Sequence, residues 1–284
     1  MQTKFMPDFL YIGPPKAGST WLYELLRLHP QVCVPGLKDL YYFDRYYERG
    51  NQWYRSQFPT ISPGILTGEI CHDYLYSEVA CERIAADAPG AKILTILRDP
   101  VERAVSHYKY SYRFGHVKGD FFQACEQNPL ILECGLYAKY LSRYFNSFPT
   151  SQMGVFFFDR LKTDSEGLAE QILMFLGLSP TGTEVANRRV NAEAVPRIPA
   201  AAKLAKLGSR ILRDLGWTSL LGAGKRSKFL SRLLYSSTQP FPIEIDLGAV
   251  REFCKDVYAE DTRRLTVLLR EKPPWFRPED PAVS

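Results

Sequence analysis

The sequence predicts an α/β fold, a central parallel sheet flanked by helices in three layers, with a helical C-terminal flank. Three observations carry this. Short apolar runs recur at Phe9–Gly13, Ile65–Ile70, Lys92–Arg98 and Met153–Asp159, as expected of strands buried on both faces. Between them lie stretches of ten or more residues with helical spacing, which predict crossover helices and hence parallel strands. A glycine-framed turn, Gly13-Pro14-Pro15-Lys16-Ala17-Gly18, joins the first strand to the first helix.

The elements follow in order. After the turn, STWLYELLRL has apolar residues at helical spacing, and Pro30 ends that helix. The second strand leads to a helix around Ser77–Asp87 that stops at Ala88-Pro89-Gly90-Ala91. Beyond the third strand, Asp99 as N-cap and Pro100 at the first helical position open a helix through DPVERAVSHYKYSYRF. Gly135–Phe148 predicts another helix, and Arg160–Leu176 one closed by Gly177. Pro180–Pro199 reads as a loop, residues 200–234 as one or two basic amphipathic helices, and Leu247–Arg270 as a closing helix. With no repeat or low-complexity linker, one domain over 1–284 is expected, with a core about 8–195 and a flank about 196–284.

Composition narrows the partners. A chain of 284 residues, 45% hydrophobic and 13% aromatic, buries a substantial core. Its net charge of +5 suits an anionic ligand and makes no case for nucleic acid. The six cysteines show no C-x-x-C pair and no metal-ligand spacing, so they read as thiols in a reducing compartment. MQTKFMPDFLYIG lacks the apolar core and cleavage site of a signal peptide, and no run approaches the roughly 18 apolar residues of a membrane span. A cytoplasmic protein is the expectation.

The turn carries chemistry. A nucleotide-binding P-loop reads G-x-x-x-x-G-K-[ST]. Here the Gly13-x4-Gly18 frame and Thr20 are kept, Ser19 stands where the lysine belongs, and the lysine has moved back to Lys16. Strand, glycine turn and helix N-terminus still form a P-loop-like cradle, with converging backbone N–H groups and the positive end of a helix dipole. Without the usual lysine, the loop suits a nucleotide with one phosphate and a less charged group at its 5′ end. The plain alternative is a glycine turn that merely joins strand to helix. A second constellation weighs against it. Arg98 ends the third strand, where ligands bind in open α/β sheets, and Arg103 and Ser106 follow on the next helix at i, i+3. Two anion sites at two strand ends suit phosphates at both the 5′ and 3′ positions.

YIGPPKAGSTWL and ILRDPVERAVSHY, in this order and each after a strand, resemble the two nucleotide signatures of the sulfotransferases that use 3′-phosphoadenosine 5′-phosphosulfate (PAPS). Within that superfamily the chain is most similar to Golgi heparan sulfate O-sulfotransferase domains and their bacterial counterparts, through LKDLYYFDRYYERGNQWYRSQFP, GEICHDYLYS, CGLYAKYLSRYFNSFP and DVYAEDTRRLTVLL. The resemblance implies that Lys16 contacts the 5′-phosphosulfate and stabilises charge on the bridging oxygen. It implies that Ala17, Gly18, Ser19, Thr20 and Trp21 hold the 5′-phosphate, that Arg98 and Ser106 hold the 3′-phosphate, and that Tyr137 lies near the nucleotide. No Mg²⁺ or other metal is implied. The relatives' disulfide-closed C-terminal loop has no counterpart, because Cys254 is the only cysteine after Cys134.

The catalytic base is open at this stage. The relatives carry glutamate in a K-E-x-x-F-F stretch, and Lys38-Asp39-Leu40-Tyr41-Tyr42-Phe43 places Asp39 there, one methylene shorter. His72 stands where the relatives have proline, at a strand end from which cytosolic sulfotransferases supply a histidine base. His72 is expected to be the base, with Asp39 orienting the acceptor or sharing the role; Glu69 is a third candidate, expected rather as a hydrogen-bonding support. Seven aromatics within residues 39–55 suit stacking on sugar rings, or simply a buried core. The segment 197–232 has nine Lys/Arg against one acid, Asp214, and suits an acidic acceptor, an anionic membrane surface or plain solvent. The expected reaction is direct in-line transfer of a sulfuryl group to a hydroxyl, on a saccharide or glycolipid by preference. The alternatives are a lipid or natural-product acceptor, a Mg²⁺-dependent small-molecule kinase, and a non-catalytic nucleotide-binding protein. Oligomeric state is not read from the sequence.

Overall fold

A computed structural model describes residues 4–180, 195–196, 235–236 and 241–276. Its frame is a five-stranded sheet of β1 (Phe9–Gly13), β2 (Val32–Cys33), β3 (Leu66–Ile70), β4 (Lys92–Leu97) and β5 (Met153–Phe157), ordered β2-β3-β1-β4-β5. Every pairing in it is parallel. A separate two-residue antiparallel pair joins β6 (Val195–Pro196) and β7 (Tyr235–Ser236). The chain leaves β1 toward β3 on one side and later returns to its other side as β4. The carboxyl end of β1 is therefore the point where the winding reverses, and a crevice opens there.

The pleat sorts the core. Phe9 and Tyr11 of β1 face one way, with Leu94 and Ile96 of β4, against α1 (Ser19–Leu28) and α9 (Ser165–Leu176). Leu10 and Ile12 face the other way, with Ile93 and Leu97, against α3 (Glu78–Asp87) and α7 (Tyr137–Ser147). These are the three layers expected. A further cluster packs α4 (Pro100–Arg113), α5 (Phe121–Gln127), α6 (Leu130–Glu133) and the closing helix α10 (Leu247–Leu269) through Tyr108, Phe121, Ile131, Cys254 and Tyr258. The short α2 (Gly50–Ser56) lies between β2 and β3. None of the six cysteines is in a disulfide. Among the described residues no helix is long and apolar enough to cross a membrane.

Several boundaries differ from the sequence reading. The strand expected through Asp159 ends at Phe157, and Phe158 begins α8 (Phe158–Thr163). That third phenylalanine lies over the glycine turn, so close that a Cβ on Gly18 would meet its ring at 3.3 Å. The helix expected over Arg160–Leu176 is two, because Asp164 accepts from Gly167 N at 2.9 Å and caps α9 afresh. α7 starts at Tyr137 rather than Gly135. Its cap is remote: both Asp261 oxygens, on α10, accept at 2.9 Å from the backbone of Ala138 and Lys139. α5, which the sequence expectation does not include, starts at a capping box of Asp120 and Gln123. β2 is too short to leave a pattern. The basic segment 197–232 and the helices expected over 200–234 lie outside the described residues.

Beneath the crevice, Glu69 is fully buried and accepts from Tyr54 Oη at 2.7 Å and Tyr74 Oη at 2.8 Å. Burial outweighs those two bonds and pushes its carboxyl up to about 8. Glu69 is thus a protonated crosslink between β3 and the aromatic core at neutral pH, a support as expected and no base. A group held neutral on folding stabilises below its unfolded value, and that stability fades as pH rises toward about 8. Glu69→Gln is expected to lose less stability between pH 5 and 8 than the parent, measured as the urea midpoint. Equal losses would show that Glu69 ionises freely in the folded state.

Candidate active site

Three strand ends build the site. At the end of β1, Gly18 takes the left-handed conformation (φ 93°) as N-cap of α1, which glycine alone adopts without cost. Gly13 is needed for close approach, since a Cβ there would lie 2.5 Å from the His72 carbonyl oxygen. Thr95 of β4 donates to Gly13 O at 2.6 Å and pins the turn from the other side. Lys16 holds φ 68°, which costs a non-glycine residue roughly 1–2 kcal/mol. Its ammonium lies 4.5 Å from the centre of the Tyr110 ring. The loop also has a second ammonium that the sequence reading did not assign to it: Lys38 Nζ donates to Ser19 Oγ at 3.0 Å.

At the end of β4, Arg98 donates to Lys16 O at 3.3 Å and to Glu102 Oε2 from both Nε and Nη2, and its guanidinium lies over Phe158 at 4.6 Å. Burial opposes the charge on Glu102, but hydrogen bonds from Lys162 and Arg98 outweigh it and hold the carboxyl below its usual range. Ser106, two turns into α4, lines the same crevice. Arg103 does not. It is fully buried, bonded to Ile131 O through Nη2 and to His107 Nδ1 at 3.4 Å, and its Nε has no partner. The i, i+3 spacing makes it a neighbour of Ser106 on α4, but its side chain turns away from the crevice toward α6 and α10. Tyr137 is buried as well and donates to Arg98 O at 2.7 Å. It supports the arginine from below rather than lining the crevice.

At the end of β3, His72 Nδ1 is 2.7 Å from Asp39 Oδ1, and Nε2 is 3.2 Å from Asp73 Oδ1. Asp39 also accepts from His72 N at 3.3 Å and has φ 63°. Two non-glycine residues in a sparsely populated backbone region, Lys16 and Asp39, face one crevice. Such outliers concentrate where the surrounding structure fixes a functional geometry. Burial works against both charges of the pair. For Asp39, His72 and Lys38 nearby outweigh it and hold the carboxyl far below the carboxylate range. For His72, Asp39 and then Asp73 outweigh it and raise the ring above its ordinary value.

A second histidine, missed in the sequence, lines the crevice with the opposite character. Burial and the adjacent Arg103 push His107 down to about 3, so it stays neutral. The two rings are told apart by neighbours alone: carboxylates flank one and a guanidinium the other.

These groups converge on one crevice of about 730 Å³, a size that holds a nucleotide with part of an acceptor. Lys16, Gly18, Ser19, Thr20 and Trp21 line it, together with Asp39, His72, Arg98 and Ser106. Ala17 is buried behind the loop. Five cations, Lys16, Lys38, Arg98, Lys109 and Arg113, face two carboxylates, Asp39 and Asp73. The seven aromatics of residues 39–55 are not part of the lining. Tyr42, Phe43 and Tyr54 are core, with Tyr42 stacked on Tyr54 at 4.1 Å, so these three have no face left for a sugar ring.

The fold and crevice define a P-loop-like domain with cation-lined sites at two neighbouring strand ends. A profile described as the sulfotransferase domain matches residues 6–194, and the chain belongs to that family. Heparan sulfate glucosamine 3-O-sulfotransferase 6 of Homo sapiens is 35% identical over 190 residues, covering 63% of this chain and 54% of the relative. The bifunctional heparan sulfate N-deacetylase/N-sulfotransferase 4 of Mus musculus is 32% identical over 201 residues, covering 62% of this chain and 23% of the relative. The chain thus matches about half the length, or less, of these proteins. A sulfotransferase from Alicyclobacillus acidocaldarius shares the fold, with a TM-score of 0.67 at 20% identity over 94% of this chain and 97% of that one.

Two separate anion sites give a binding signature. PAP (3′-phosphoadenosine 5′-phosphate) is expected to raise the melting temperature well beyond AMP or ATP at equal concentration, since the shift grows with ligand concentration over Kd. In Arg98→Ala the advantage of PAP over AMP should vanish. Equal shifts from PAP and AMP in the parent would remove the site at Arg98 and Ser106.

Proposed function

We propose that this chain transfers the sulfuryl group of PAPS to a hydroxyl of a saccharide or glycolipid acceptor, directly and without a covalent enzyme intermediate. The observation that carries this is the joining of two cation-lined anion sites, at the ends of β1 and β4, with the His72–Asp39 pair at the end of β3. PAPS has a phosphate at the 3′ position and a phosphate–sulfate anhydride at the 5′ position, and it supplies the sulfuryl group. The residues present fit it: Gly18, Ser19, Thr20 and the start of α1 for the 5′-phosphate, Arg98 and Ser106 for the 3′-phosphate. An anhydride with a single phosphate next to sulfate needs less compensation than a triphosphate. That accounts for Ser19 standing where a P-loop carries lysine.

Lys16 and Lys38 bring two ammonium groups to the loop. As the bridging S–O bond breaks, negative charge grows on the phosphate oxygen, and Lys16 neutralises it. On the opposite side the acceptor hydroxyl must lose its proton as its oxygen bonds to sulfur. His72 takes that proton on Nε2, while Asp39 on Nδ1 fixes the ring and stabilises the imidazolium that forms, the arrangement of an oriented histidine base. Asp39 is the reserve candidate, standing where the relatives carry glutamate, but its acidity makes it a poor acceptor of a hydroxyl proton. The likeness to enzymes named for heparan sulfate glucosamine, and the excess of cations in the crevice, favour a saccharide that is itself anionic.

Lys16→Ala is expected to lower kcat by roughly 10²–10³ while weakening PAP binding less, the pattern of a contact made mainly in the transition state. An unchanged kcat would take Lys16 out of the chemistry. The base is tested by His72→Ala and Asp39→Asn at saturating PAPS, using labelled PAPS and a panel of desulfated heparan oligosaccharides and glycolipids. With His72 as base, activity rises with pH through a midpoint above the ordinary histidine value of about 6.5, because its carboxylate neighbours raise it. If His72→Ala keeps near-normal kcat and Asp39→Asn loses a hundredfold, the base is the aspartate.

A further inference from the structure

His72 is engaged at both ring nitrogens, yet a base needs one of them open. The two partners differ. Asp39 is held deep, its side chain 12% exposed, and bonds to the ring and backbone of His72 together. Asp73 is 31% exposed and faces the crevice. Its Oδ1 is on Nε2 at 3.2 Å, while its Oδ2 is held at 2.8 Å by Arg45 Nη2. Arg45 in turn lies over the Tyr41 ring at 4.1 Å. Asp73 therefore bridges a half-exposed guanidinium and the nitrogen that has to receive the acceptor's proton.

We propose that Asp73 and Arg45 are positioning residues: Asp73 accepts from His72 Nε2–H and keeps the ring an imidazolium until an acceptor hydroxyl displaces it, the Nε2 proton then leaving to solvent, and Arg45 is the guanidinium to which the displaced carboxylate retires. This rests on His72 as the base. Without an acceptor, Nε2 keeps its proton on Asp73 and cannot take one from water, which suppresses a wasteful reaction. In that reaction water oxygen bonds to sulfur, the bridging S–O bond breaks, and the water proton goes to His72, leaving PAP and sulfate. When an acceptor hydroxyl replaces Asp73 at Nε2, the carboxylate keeps its bond to Arg45, so displacement does not strand a bare charge. Three other groups face the ring: Lys38 beside Asp39, the Tyr41 ring edge at 6.5 Å, and across the crevice the neutral His107. Lys38 acts against protonation of His72 more weakly than the two carboxylates act for it.

The two residues pull in opposite directions, and that gives the test. The readouts are the ring titration of His72 in the whole protein, by NMR with labelled histidine, and sulfate release from labelled PAPS into water without acceptor. Removing one close carboxylate shifts a histidine by about one pH unit or more. Asp73→Ala should therefore move the His72 midpoint down and shift the acid limb of sulfate release with it. Sulfate release at pH 6 should rise about three- to tenfold, in line with the larger neutral fraction. Asp73→Asn, which keeps the shape and removes the charge, should shift the same way and guards against misfolding of the alanine variant. Arg45→Ala frees Asp73 for the ring and should move the midpoint up and slow sulfate release, with Arg45→Lys restoring both. An unmoved midpoint in Asp73→Ala and Asp73→Asn, or shifts of one sign in the Asp73 and Arg45 variants, would overturn the proposal. A midpoint that moves while the acid limb stays put would overturn it through the base, because His72 would then not be the proton acceptor.

Discussion

Everything in this molecule hangs on β1 lying between β3 and β4 in a parallel sheet. Neighbouring parallel strands run about 4.8 Å apart, and all end on the same edge. Three consecutive ends in space therefore deliver a phosphate loop, a guanidinium and an imidazole to one crevice, although the residues come from positions 13, 72 and 98. The chain reaches that arrangement only by reversing direction around β1. Close packing at the edge then sets fine geometry: Gly13 passes the His72 carbonyl where no side chain fits, and Thr95 ties the turn to β4.

From Lys38 to Arg45 the charges alternate along one line. Lys38 reaches Ser19 in the loop and lies 4.0 Å from Asp39; Asp39 grips His72; Asp73 grips the other nitrogen; Arg45 grips Asp73. The histidine links are the short, sheltered ones, while the Lys38–Asp39 contact is long and the Asp73–Arg45 bond lies toward solvent. Opposite charges at such distances inside a crevice interact far more strongly than on open surface. The binding side and the chemical side of the crevice are thus electrically joined.

Much of this was legible from residues alone, and the failures have physical causes. Gly13, Gly18, Asp99 and Pro100 announce their roles because backbone conformation demands those residue types. Lys16, Arg98 and Ser106 could be placed because strand ends and helix starts were clear. Arg103 was misread because helical spacing gives a face, whereas burial depends on what packs there, here α6 and α10. The aromatics of residues 39–55 look alike in sequence, and only packing tells a core ring such as Tyr54 from a surface one. His107 is unreadable in principle: a lone histidine shows nothing until the buried guanidinium beside it is known. The cap of α7 was hidden because its aspartate is more than a hundred residues away.

That remote cap reaches further than helix stability. Asp261 receives the first amides of α7; Tyr137 at the head of α7 holds the Arg98 carbonyl; and Arg98 holds the carbonyl of Lys16. A relay of three links, made of four hydrogen bonds, thus runs from the last described helix to the loop at the front of the chain. The family match stops at residue 194, but the packing and hydrogen bonding of the core do not. A fragment cut there would leave the α7 amides bare, at roughly 1–3 kcal/mol for each buried group left unpaired. It would also uncover the faces that Cys254, Tyr258 and Leu265 seal. In domain-swapping or minimisation work, α10 belongs with the nucleotide half of the molecule, however far down the chain it is written.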